Sequence, residues 1–349
     1  MIRSAGLVLS VLLILIHIAP LKSNAQDLNE TLSQVGEAYA RAYVNPFAEA
    51  LGADLNTGLF HTAGVSKRVF GINVYVGVKA SAALLDQSHK SFNLMYQGTV
   101  PIDIELAGQT ITMDVPATFT VNDAPSIFGE SAEGMANVSV NHDTTFSTLG
   151  LTLPIAFDST LTPRETIGGL IETSVAPFVV PQIGLGTVFG TDVMVRWLPQ
   201  ISVPDVGALE LFGFGVRHNL NQYLPALPFD LSIMAAWQNI RAEDSGGAEV
   251  MEANTFAVNA AISKRIGVLT IYGGLQTERS DISFSYIFDV DDVDDSLNVD
   301  PIDVNFTLSN VGKTRGIFGL GLKLGPVVWN ADVSMGQITV VSAGFGFAF

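Results

Sequence analysis

Through most of the chain, apolar side chains recur at every second position. Within residues 70–80, one face carries Val76 and Val78 and the other carries Tyr75 and Lys79. Successive side chains of a β-strand point to opposite sides of the sheet, so this alternation predicts strands with one apolar and one polar face. Seven further segments share the pattern: 192–197, 212–217, 229–238, 256–263, 318–324, 329–334 and 341–349.

Alternation of this kind also fits a soluble β-sandwich, whose outer face is polar. Three features favour strands that face lipid. The apolar face is bulky and almost free of charge, and the opposite face is rich in glycine and in single charges of both signs. Four aromatic residues also fall near segment ends, where girdles border a membrane: Trp197, Tyr223, Trp237 and Trp329.

The last nine residues carry the sharpest signal. Phe345, Phe347 and Phe349 share one face with Val341 and Ala343, and Phe349 is the last residue. The pattern resembles the terminal-strand signal by which outer-membrane barrels are recognised for assembly. We therefore predict that the three phenylalanines form an assembly signal for the barrel assembly machinery.

Residues 1–25 predict a cleavable secretory signal peptide, with a basic start at Arg3, an apolar run over 5–18 and small residues at 23–25. The run is shorter than the ~20 residues that a helix needs to span a bilayer. No later apolar run reaches that length, so an integral membrane protein of this sequence has to be a closed barrel. Charged residues make up 15% of the chain, against ~25% in typical soluble domains.

These features predict an all-β fold, a closed antiparallel transmembrane β-barrel of about 10–14 strands in a bacterial outer membrane. Residues 27–44 have helical periodicity, and Asn45-Pro46 is expected to end this helix, because a residue before proline avoids the helical conformation. The predicted order is a signal peptide (1–25), an N-terminal amphipathic helix (26–48) and the barrel (49–349). The helix could plug the barrel mouth, or extend into the periplasm and pack on nothing in particular.

Two stretches do not fit spanning strands and are predicted to be extramembrane excursions. Residues 98–135 contain three prolines and a polar hairpin pattern, and residues 289–303 are acidic. Clustered carboxylates are the ligands that calcium prefers. The acidic run lacks the glycine and the terminal glutamate of an EF-hand loop, so a solvated loop is the simpler interpretation.

Charge and composition argue against several other functions. Without Arg3 and Lys22, the chain keeps 15 basic residues against 34 acidic ones, a net charge of −19 that disfavours nucleic-acid binding. Cysteine is absent, and the histidines beyond the signal peptide lack metal-ligand spacing. The Gly-x-Gly pairs open no helix that could hold a phosphate. We expect no metal and no cofactor.

The polar face of the strands supplies the candidate functional residues. Charges there either pair across a closed interior or line a wet pore and bias its ion selectivity, and mixed signs favour pairing. We identify no catalytic residue. The candidates for lumen contact or transport are Tyr75, Lys79, Asp192, Arg196, Arg217, Asp230, Tyr272, Lys323 and Asp332.

Several motifs occur along the chain: Leu-Asn-Thr-Gly-Leu-Phe-His-Thr-Ala (55–63), Pro-Gln-Ile-Gly-Leu-Gly (181–186), Val-Arg-Trp-Leu-Pro (195–199), Phe-Gly-Val-Arg-His-Asn-Leu-Asn-Gln-Tyr-Leu-Pro (214–225) and Leu-Pro-Phe-Asp-Leu-Ser (227–232). Together they resemble an uncharacterised, domain-of-unknown-function family of bacterial outer-membrane-type proteins. That resemblance supports location and fold, and implies no activity. A helix before a barrel is also similar, in architecture only, to outer-membrane channels of the fatty-acid-transporter type.

Three functional hypotheses remain open at this point. The first is a channel or transporter for an unidentified small molecule, with hydrophobic molecules among the candidates and outer-membrane lipid as its surroundings. The second is a non-conducting structural or adhesion barrel with a packed lumen. The third is a membrane-embedded hydrolase, because a Ser-His arrangement need not be local in sequence.

Overall fold

The computed structural model describes residues 25–64, 73–106, 109–130, 135–148, 151–165, 168–186, 190–203, 207–224, 226–288 and 302–349. Residues 1–24 of the predicted signal peptide and most of the acidic run therefore lie outside the described residues. The chain divides into two compact units. The barrel unit comprises Ala48–Leu85, Ser174–Phe284 and Thr307–Phe349, and the second unit comprises the remaining segments.

One α-helix, two short 3₁₀ helices (Gln87–His89 and Leu220–Gln222) and fourteen strands make up the regular structure of the described residues. The helix, α1, spans Ala25–Leu55. The strands are β1 (Asn73–Leu84), β2 (Ser91–Leu106), β3 (Gln109–Pro125), β4 (Met135–Thr148), β5 (Leu151–Glu165), β6 (Val175–Gly186), β7 (Thr191–Val203), β8 (Gly207–Asn219), β9 (Asp230–Glu243), β10 (Glu249–Ile266), β11 (Leu269–Phe288), β12 (Ile302–Leu324), β13 (Val327–Met335) and β14 (Val340–Ala348).

Ten of these strands form a closed barrel in the order β1-β14-β13-β12-β11-β10-β9-β8-β7-β6. The ring closes at β1, where Val78 lies opposite Phe345 of β14 and Pro181 of β6. Leaving out the inserted β2–β5, each strand is antiparallel to the next along the chain, so the barrel is an up-and-down meander. The predicted closed antiparallel barrel is confirmed, and its strand number is at the lower end of the expected range.

The alternation of faces follows the predicted phase in the wall strands. Val76 and Phe214 point outward and are 47% and 42% exposed, whereas Tyr75 and Lys79 point inward and are 6% and 2% exposed. The same inside-outside alternation runs along β9, β10, β13 and β14. The outer surface is therefore a broad apolar band, and the polar residues are turned into the lumen.

The aromatic residues only partly fit the girdle interpretation. Trp329 is the third residue of β13 and Tyr223 directly follows β8 and a short 3₁₀ helix, so both lie near strand ends. Trp197 and Trp237 lie in the middle of their strands rather than near strand ends. On the outward face, Trp237 is followed by Asn239 and Arg241, which hydrogen-bond Glu252. The apolar band therefore ends part-way along β9, and the strand continues beyond it with polar outward residues.

One junction in the wall is much shorter than its neighbours. Strands β6 and β7 pair only from Gly186↔Asp192 to Gln182↔Arg196, which is five residue pairs, whereas β1 and β6 share twelve. Beyond Gln182 both strands carry prolines, which have no N–H to donate to a ladder: Pro177, Pro181 and Pro199. The β6–β7 seam is thus the weakest ladder among those described completely in the barrel.

The second unit contains a four-stranded sheet in the order β2-β3-β4-β5. The hairpin expected within 98–135 is present as β2 and β3, with Ile104 opposite Ile111. The predicted excursion was too short, because β4 and β5 also belong to this sheet rather than to the barrel. Helix residues pack within the same unit, where the rings of Tyr39 and Phe92 meet edge to face at 5.1 Å.

The predicted end of the helix at Asn45-Pro46 was wrong. The helix continues through Pro46 to Leu55. Proline removes one helical hydrogen bond and strains the preceding turn. Burial offsets this cost, since Pro46 is buried and Ala48 and Ala50 are at most 1% exposed. Packing of the helix overrides the local preference of the residue before proline.

We expect Gly213→Val to lower the free energy of unfolding of the barrel by about 1–3 kcal/mol, since it overpacks the interior. An added Cβ would lie 2.7 Å from Gln238 Cγ and 3.4 Å from Arg196 Cβ. Gly316→Val is the matched control, because no heavy atom lies within 4 Å of its Cβ position. Urea titration of both variants in lipid vesicles tests this, and equal destabilisation would contradict it.

Candidate functional site: the occupied lumen

Residues Ala48–Gly64, called the lumen segment below, belong to the barrel unit and lie inside the ring of strands. The segment comprises the last turns of α1 and an irregular stretch from Asn56 to Gly64. Its side chains are largely buried, with Leu55 at 0%, Phe60 at 4% and Ala63 at 0% exposed. The segment that fills the barrel thus begins at Ala48, almost where the sequence-based boundary placed the start of the wall.

Contacts with the wall show the direction of the lumen segment. An added Cβ on Gly52 would lie 2.9 Å from Ser280 Cβ, well inside β11. At the other end, an added Cβ on Gly64 would lie 2.8 Å from a carboxylate oxygen of Asp230, the first residue of β9. The segment therefore runs along the lumen toward the end of the barrel where β9 begins.

Arg196 of β7 holds the end of helix α1. Its guanidinium donates to the backbone carbonyl of Leu55 at 2.9 Å and to that of Thr57 at 2.9 Å. It also donates to the side-chain oxygens of Gln238 at 3.0 Å and Gln182 at 3.1 Å. Leu55 is the last residue of α1, where unpaired carbonyls carry a partial negative charge that favours a cation. The guanidinium is fully buried, and its four hydrogen-bond acceptors are two backbone carbonyls and two glutamine oxygens rather than a carboxylate.

A second arginine holds the same turn from the opposite side of the lumen. Arg315 of β12 donates to Thr57 Oγ1 at 3.2 Å and makes a bidentate ion pair with Glu278, at 2.9 and 3.1 Å. Nearby, the amide of Gln276 donates to the carbonyl of Asn56 at 2.9 Å. Side chains from several strands therefore hydrogen-bond the backbone of the irregular stretch.

Arg217 and Asn219 of β8 hold the far end of the lumen segment. Arg217 donates to the carbonyl of Thr62 and pairs with Asp192. Asn219 donates to the carbonyl of Ala63 at 2.9 Å. Two of the predicted inward charges, Arg217 and Asp192, thus form a pair that also bonds the segment.

An apolar cluster separates the two polar levels. The ring of Phe60 lies edge to face against Tyr272 of β11, with centroids 5.8 Å apart. Tyr272 in turn donates from its hydroxyl to Asp332 at 2.7 Å. Other members of the cluster are Leu59, Ala63, Met194, Met234, Ala236, Ala257 and Ala261. Phe60 therefore acts as an apolar anchor for the segment.

Lys79 and Tyr75 of β1 complete the inner wall. The ammonium of Lys79 donates to Asn330 Oδ1 at 2.8 Å. The ring of Tyr75 lies 5.1 Å from that of His61. Gly58 lies beside Lys79 with φ of +66°, a conformation that strains residues with a side chain.

The lumen segment ends beside a cavity of about 540 Å³, called the mouth cavity below. Asn73, where β1 begins, and Phe349, at the end of the chain, line it, so it lies at this end of the barrel. Asp230 and Lys323, the two remaining predicted residues, also line it. Its other polar and charged lining includes His61, Tyr75, Arg217 and Arg265.

All nine predicted lumen residues thus lie on the inner side of the barrel. The structure brings Arg196 and Arg217 against the lumen segment and pairs Tyr272 with Asp332. Sequence reasoning missed Arg315 and Glu278. Counting back in steps of two from Gly319 places Arg315 on the inner face, but the outward positions before Phe318 are Gly316 and Thr314, so no apolar face marks the strand there.

Several buried polar atoms in the middle of the lumen have no partner within the described protein. They belong to the side chains of Asn56, Thr255, Asn259 and Ser342. Buried polar groups in proteins usually bind water when no protein group reaches them. The contact between segment and wall is therefore polar, and part of its hydrogen-bonding capacity is not used by protein groups at this level.

The described hydroxyl–imidazole contacts of the barrel wall give little support to the hydrolase hypothesis. Thr191 Oγ1 lies 2.8 Å from His218 Nδ1, and the other ring nitrogen faces Tyr223 and Gln222 rather than a carboxylate. No group of His, Cys, Asp and Glu suited to a metal ion occurs within the described ranges. Among the helices described, none is long and apolar enough to cross a membrane.

A family of unknown function, DUF6588, matches residues 4–349. The chain belongs to this family. The resemblance drawn from the motifs to an uncharacterised family is thereby confirmed. No curated protein matches the chain.

Solved structures that the chain matches include several outer-membrane proteins. A loop L8 deletion mutant of OmpT from Vibrio cholerae is 9% identical, with 80% of this chain and 99% of that chain covered and a TM-score of 0.25. OpdO of Pseudomonas aeruginosa is 11% identical (80% and 96% covered, TM-score 0.20), and the channel DcaP of Acinetobacter baumannii is 10% identical (80% and 97%, TM-score 0.19). Likeness at this level supports no conclusion about function. The barrel unit has the architecture of an outer-membrane β-barrel by its own strand order and apolar outer face.

We expect Arg196→Gln to loosen the lumen segment while leaving the barrel folded. Because the chain lacks cysteine, a single Leu55→Cys substitution reports on the burial of this position. Each lost hydrogen bond from a charged group is worth about 1.5–3 kcal/mol, so maleimide labelling should accelerate by about tenfold or more. Arg241→Gln, at an outward-facing and exposed position, is the control. Equal labelling rates in the two variants would contradict the role of Arg196.

We expect the stability of the folded barrel to depend on pH through Asp54. This residue lies on α1, and its burial raises its pKa to about 7, although Ser81, Ala83 and Arg315 oppose the shift. The folded state then holds a proton that the unfolded chain releases near pH 4, so stability falls as pH rises from about 4 to 7. Asp54→Asn should remove this part of the pH dependence.

The free energy of unfolding at pH 5 and pH 8 measures the effect. The difference between the two values should shrink by on the order of 1–3 kcal/mol in Asp54→Asn, because one pKa unit corresponds to about 1.4 kcal/mol. Glu249→Gln removes an exposed carboxylate and should leave the difference unchanged. An unaltered difference in Asp54→Asn would show that Asp54 is ionised throughout.

Proposed function

We propose that this protein is an outer-membrane β-barrel that passes a small molecule only when the lumen segment moves aside. The observation that carries the proposal is the occupied lumen itself, together with the mouth cavity that remains at one end. In this view Arg196, Arg217 and Arg315 hold a gate rather than line an open pore.

The apolar outer surface supports a place in a membrane. Outward residues along β1, β8, β9 and β14 are large and apolar, and a β-barrel is the way in which strands can span a bilayer. The predicted signal peptide and the Phe345, Phe347 and Phe349 pattern support export to a bacterial outer membrane and insertion by the barrel assembly machinery.

The chemistry of the contacts supports a movable segment. Apart from the Phe60 cluster, the segment is held largely by hydrogen bonds to its backbone carbonyls. Water can replace a protein donor at a carbonyl, so the net contribution of each such bond is limited to about 0.5–1.5 kcal/mol for a neutral donor and about 1.5–3 kcal/mol for an arginine. No disulfide restrains the segment, since the chain has no cysteine. A ligand that binds better to the open state would shift the equilibrium toward it.

A non-conducting structural barrel is the alternative, and one observation favours it. Inward polar groups also bond one another within the wall, as in the Arg315–Glu278 ion pair and the Lys79–Asn330 contact. Such cross-links stiffen a closed interior whether or not anything passes through it. The hydrolase remains a third and less supported candidate.

Current through a planar lipid bilayer distinguishes these proposals. The test uses Gly52→Cys/Ser280→Cys, because the Cβ atoms at these two positions would be close enough for a disulfide after a small adjustment. We expect brief conductance steps from the wild type, loss of the steps on oxidation of the double variant and their return on reduction. Deletion of residues 26–64 should give long-lived steps.

Silence from both the wild type and the deletion variant, in folded barrels, would contradict the gated channel and favour the structural role. Heat-dependent gel migration identifies folded barrels in each preparation. The single variants Gly52→Cys and Ser280→Cys control for effects of either substitution alone, and neither should respond to oxidant.

A further inference from the structure

The β6–β7 seam forms part of the wall of the mouth cavity. Its five residue pairs run from Gly186↔Asp192 to Gln182↔Arg196. The inward residues of this ladder line the cavity on both strands: Gln182, Gly184 and Gly186 of β6, and Asp192 and Met194 of β7. The two glycines have no side chain, so the backbone of β6 borders the cavity directly. At the seam, one short ladder separates the cavity from the outer surface of the barrel.

The outer side of the seam is apolar over the depth of a membrane. The outward residues of β6 are all apolar from 175 to 185, and those of β7 are all apolar from 193 to 199. A strand needs about 9–11 residues to span a bilayer, so β6 has an apolar face of spanning length. Val179 and Trp197, which lie where the two strands separate, are 56% and 59% exposed. A passage through the seam would therefore lead into the hydrocarbon core.

Beyond Gln182 and Arg196 the two strands separate within this apolar band. In the described structure, Val175–Pro181 of β6 and Trp197–Val203 of β7 do not pair with each other. Backbone groups without partners are costly in hydrocarbon, and spanning strands usually pair along their whole length for this reason. Three prolines remove N–H groups here, although the carbonyls remain: Pro177, Pro181 and Pro199. A wall that only has to stay closed gains nothing from this separation.

A buried side-chain contact closes the seam at the end where the strands separate. Arg196 Nε donates to Gln182 Oε1 at 3.1 Å, across the last residue pair of the ladder. The same guanidinium donates to the carbonyls of Leu55 and Thr57 in the lumen segment. If the segment moves aside, Arg196 loses these two acceptors and can turn away from Gln182. One arginine thus couples the position of the segment to the closure of the seam.

We propose that the β6–β7 seam is a lateral passage, through which an uncharged and largely apolar small molecule moves between the mouth cavity and the hydrocarbon core of the membrane. A charged molecule is excluded from this route by the cost of leaving water. Inside the cavity, an apolar molecule meets Leu59, Phe60, Met194 and Met234. The inference rests on the proposed function, since it names the class of molecule that the gated barrel would pass and the route that it takes.

The test follows an uncharged photoreactive probe, 3-phenyl-3-(trifluoromethyl)diazirine, dissolved in the bilayer of vesicles that hold the whole protein. Illumination at increasing intervals after mixing gives a rate of labelling, because the route of entry changes the rate and not the final equilibrium. Mass spectrometry compares adducts at the inward residues Met194 and Met234 with adducts at the outward residue Phe214. The carboxylate derivative of the same diazirine, which is charged and enters from water, is the comparison probe.

A disulfide across the seam tests the route. Ile183 and Val195 lie opposite each other, and the Cα atoms of such pairs are about 4.5–5.5 Å apart, within the range of a disulfide. We expect oxidation of Ile183→Cys/Val195→Cys to slow inward labelling by the uncharged probe about tenfold, and reduction to restore it. Labelling by the charged probe should not change. Val216→Cys/Ala235→Cys is the matched control across the twelve-pair β8–β9 junction and should show no effect.

Two further variants separate the seam from the lumen segment. Gln182→Leu and Gln238→Leu each remove one side-chain acceptor of Arg196, but only Gln182 belongs to the seam. Gln238 also donates to the carbonyl of Leu55, so its loss loosens the segment at least as much. We expect Gln182→Leu to accelerate inward labelling by the uncharged probe several-fold more than Gln238→Leu does. Equal acceleration would show that the contact between Arg196 and Gln182 does not close the seam.

Equal rates of inward labelling in the oxidised and reduced seam variant would overturn the inference. Equal slowing of both probes would do so as well, since the disulfide would then act on the mouth rather than on a lateral route. These outcomes are separable from the current measurements. Seam-dependent labelling of a folded barrel that stays silent would support the lateral passage without the channel, whereas conductance with labelling that ignores the disulfide would support the channel without the passage.

Discussion

Backbone groups withdrawn from water need hydrogen-bond partners, and the barrel unit meets this need in two ways. The strands pair with one another around a closed ring. The lumen segment is irregular from Asn56 to Gly64 and does not pair with a strand in the described structure. Side chains of the wall therefore donate hydrogen bonds to its backbone carbonyls instead. Arg196, Gln276 and Arg217 owe their positions to this need. The polar inner face of the wall thus supplies hydrogen-bond donors that match the backbone carbonyls of the lumen segment.

The wall was predictable because a period of two is a local property of the sequence. Each inward residue in β9 is separated from the next by one outward residue, and no distant contact is needed to assign the faces. The same reasoning placed Arg196 and Tyr272 on the inner side. Strand pairing and closure followed from the absence of another long apolar run, since an isolated sheet edge is unstable in lipid.

What the sequence did not reveal depends on contacts between distant residues. The partner of Arg196 is the end of a helix about 140 positions away, and nothing in the alternation of β7 points to it. Burial keeps α1 helical through Pro46 against its local preference. Strands β4 and β5 alternate much as wall strands do, so only their pairing with β2 and β3 separates them from the barrel. Local pattern gives the face of a residue, and tertiary packing gives its partner.

The junctions between neighbouring strands differ in the number of paired residues, so they differ in mechanical strength. Strand β6 is joined to β1 by twelve residue pairs and to β7 by five. Tension around the circumference is carried by every junction equally, so among the junctions that are described completely the one with the fewest paired residues yields first. The barrel would therefore part between β6 and β7 and unroll into a sheet with β6 and β7 at its two edges. The first and last strands of the barrel, β1 and β14, would stay paired as the second and third strands from the β6 edge. Prolines, rather than the ends of the chain, would then determine where the wall opens.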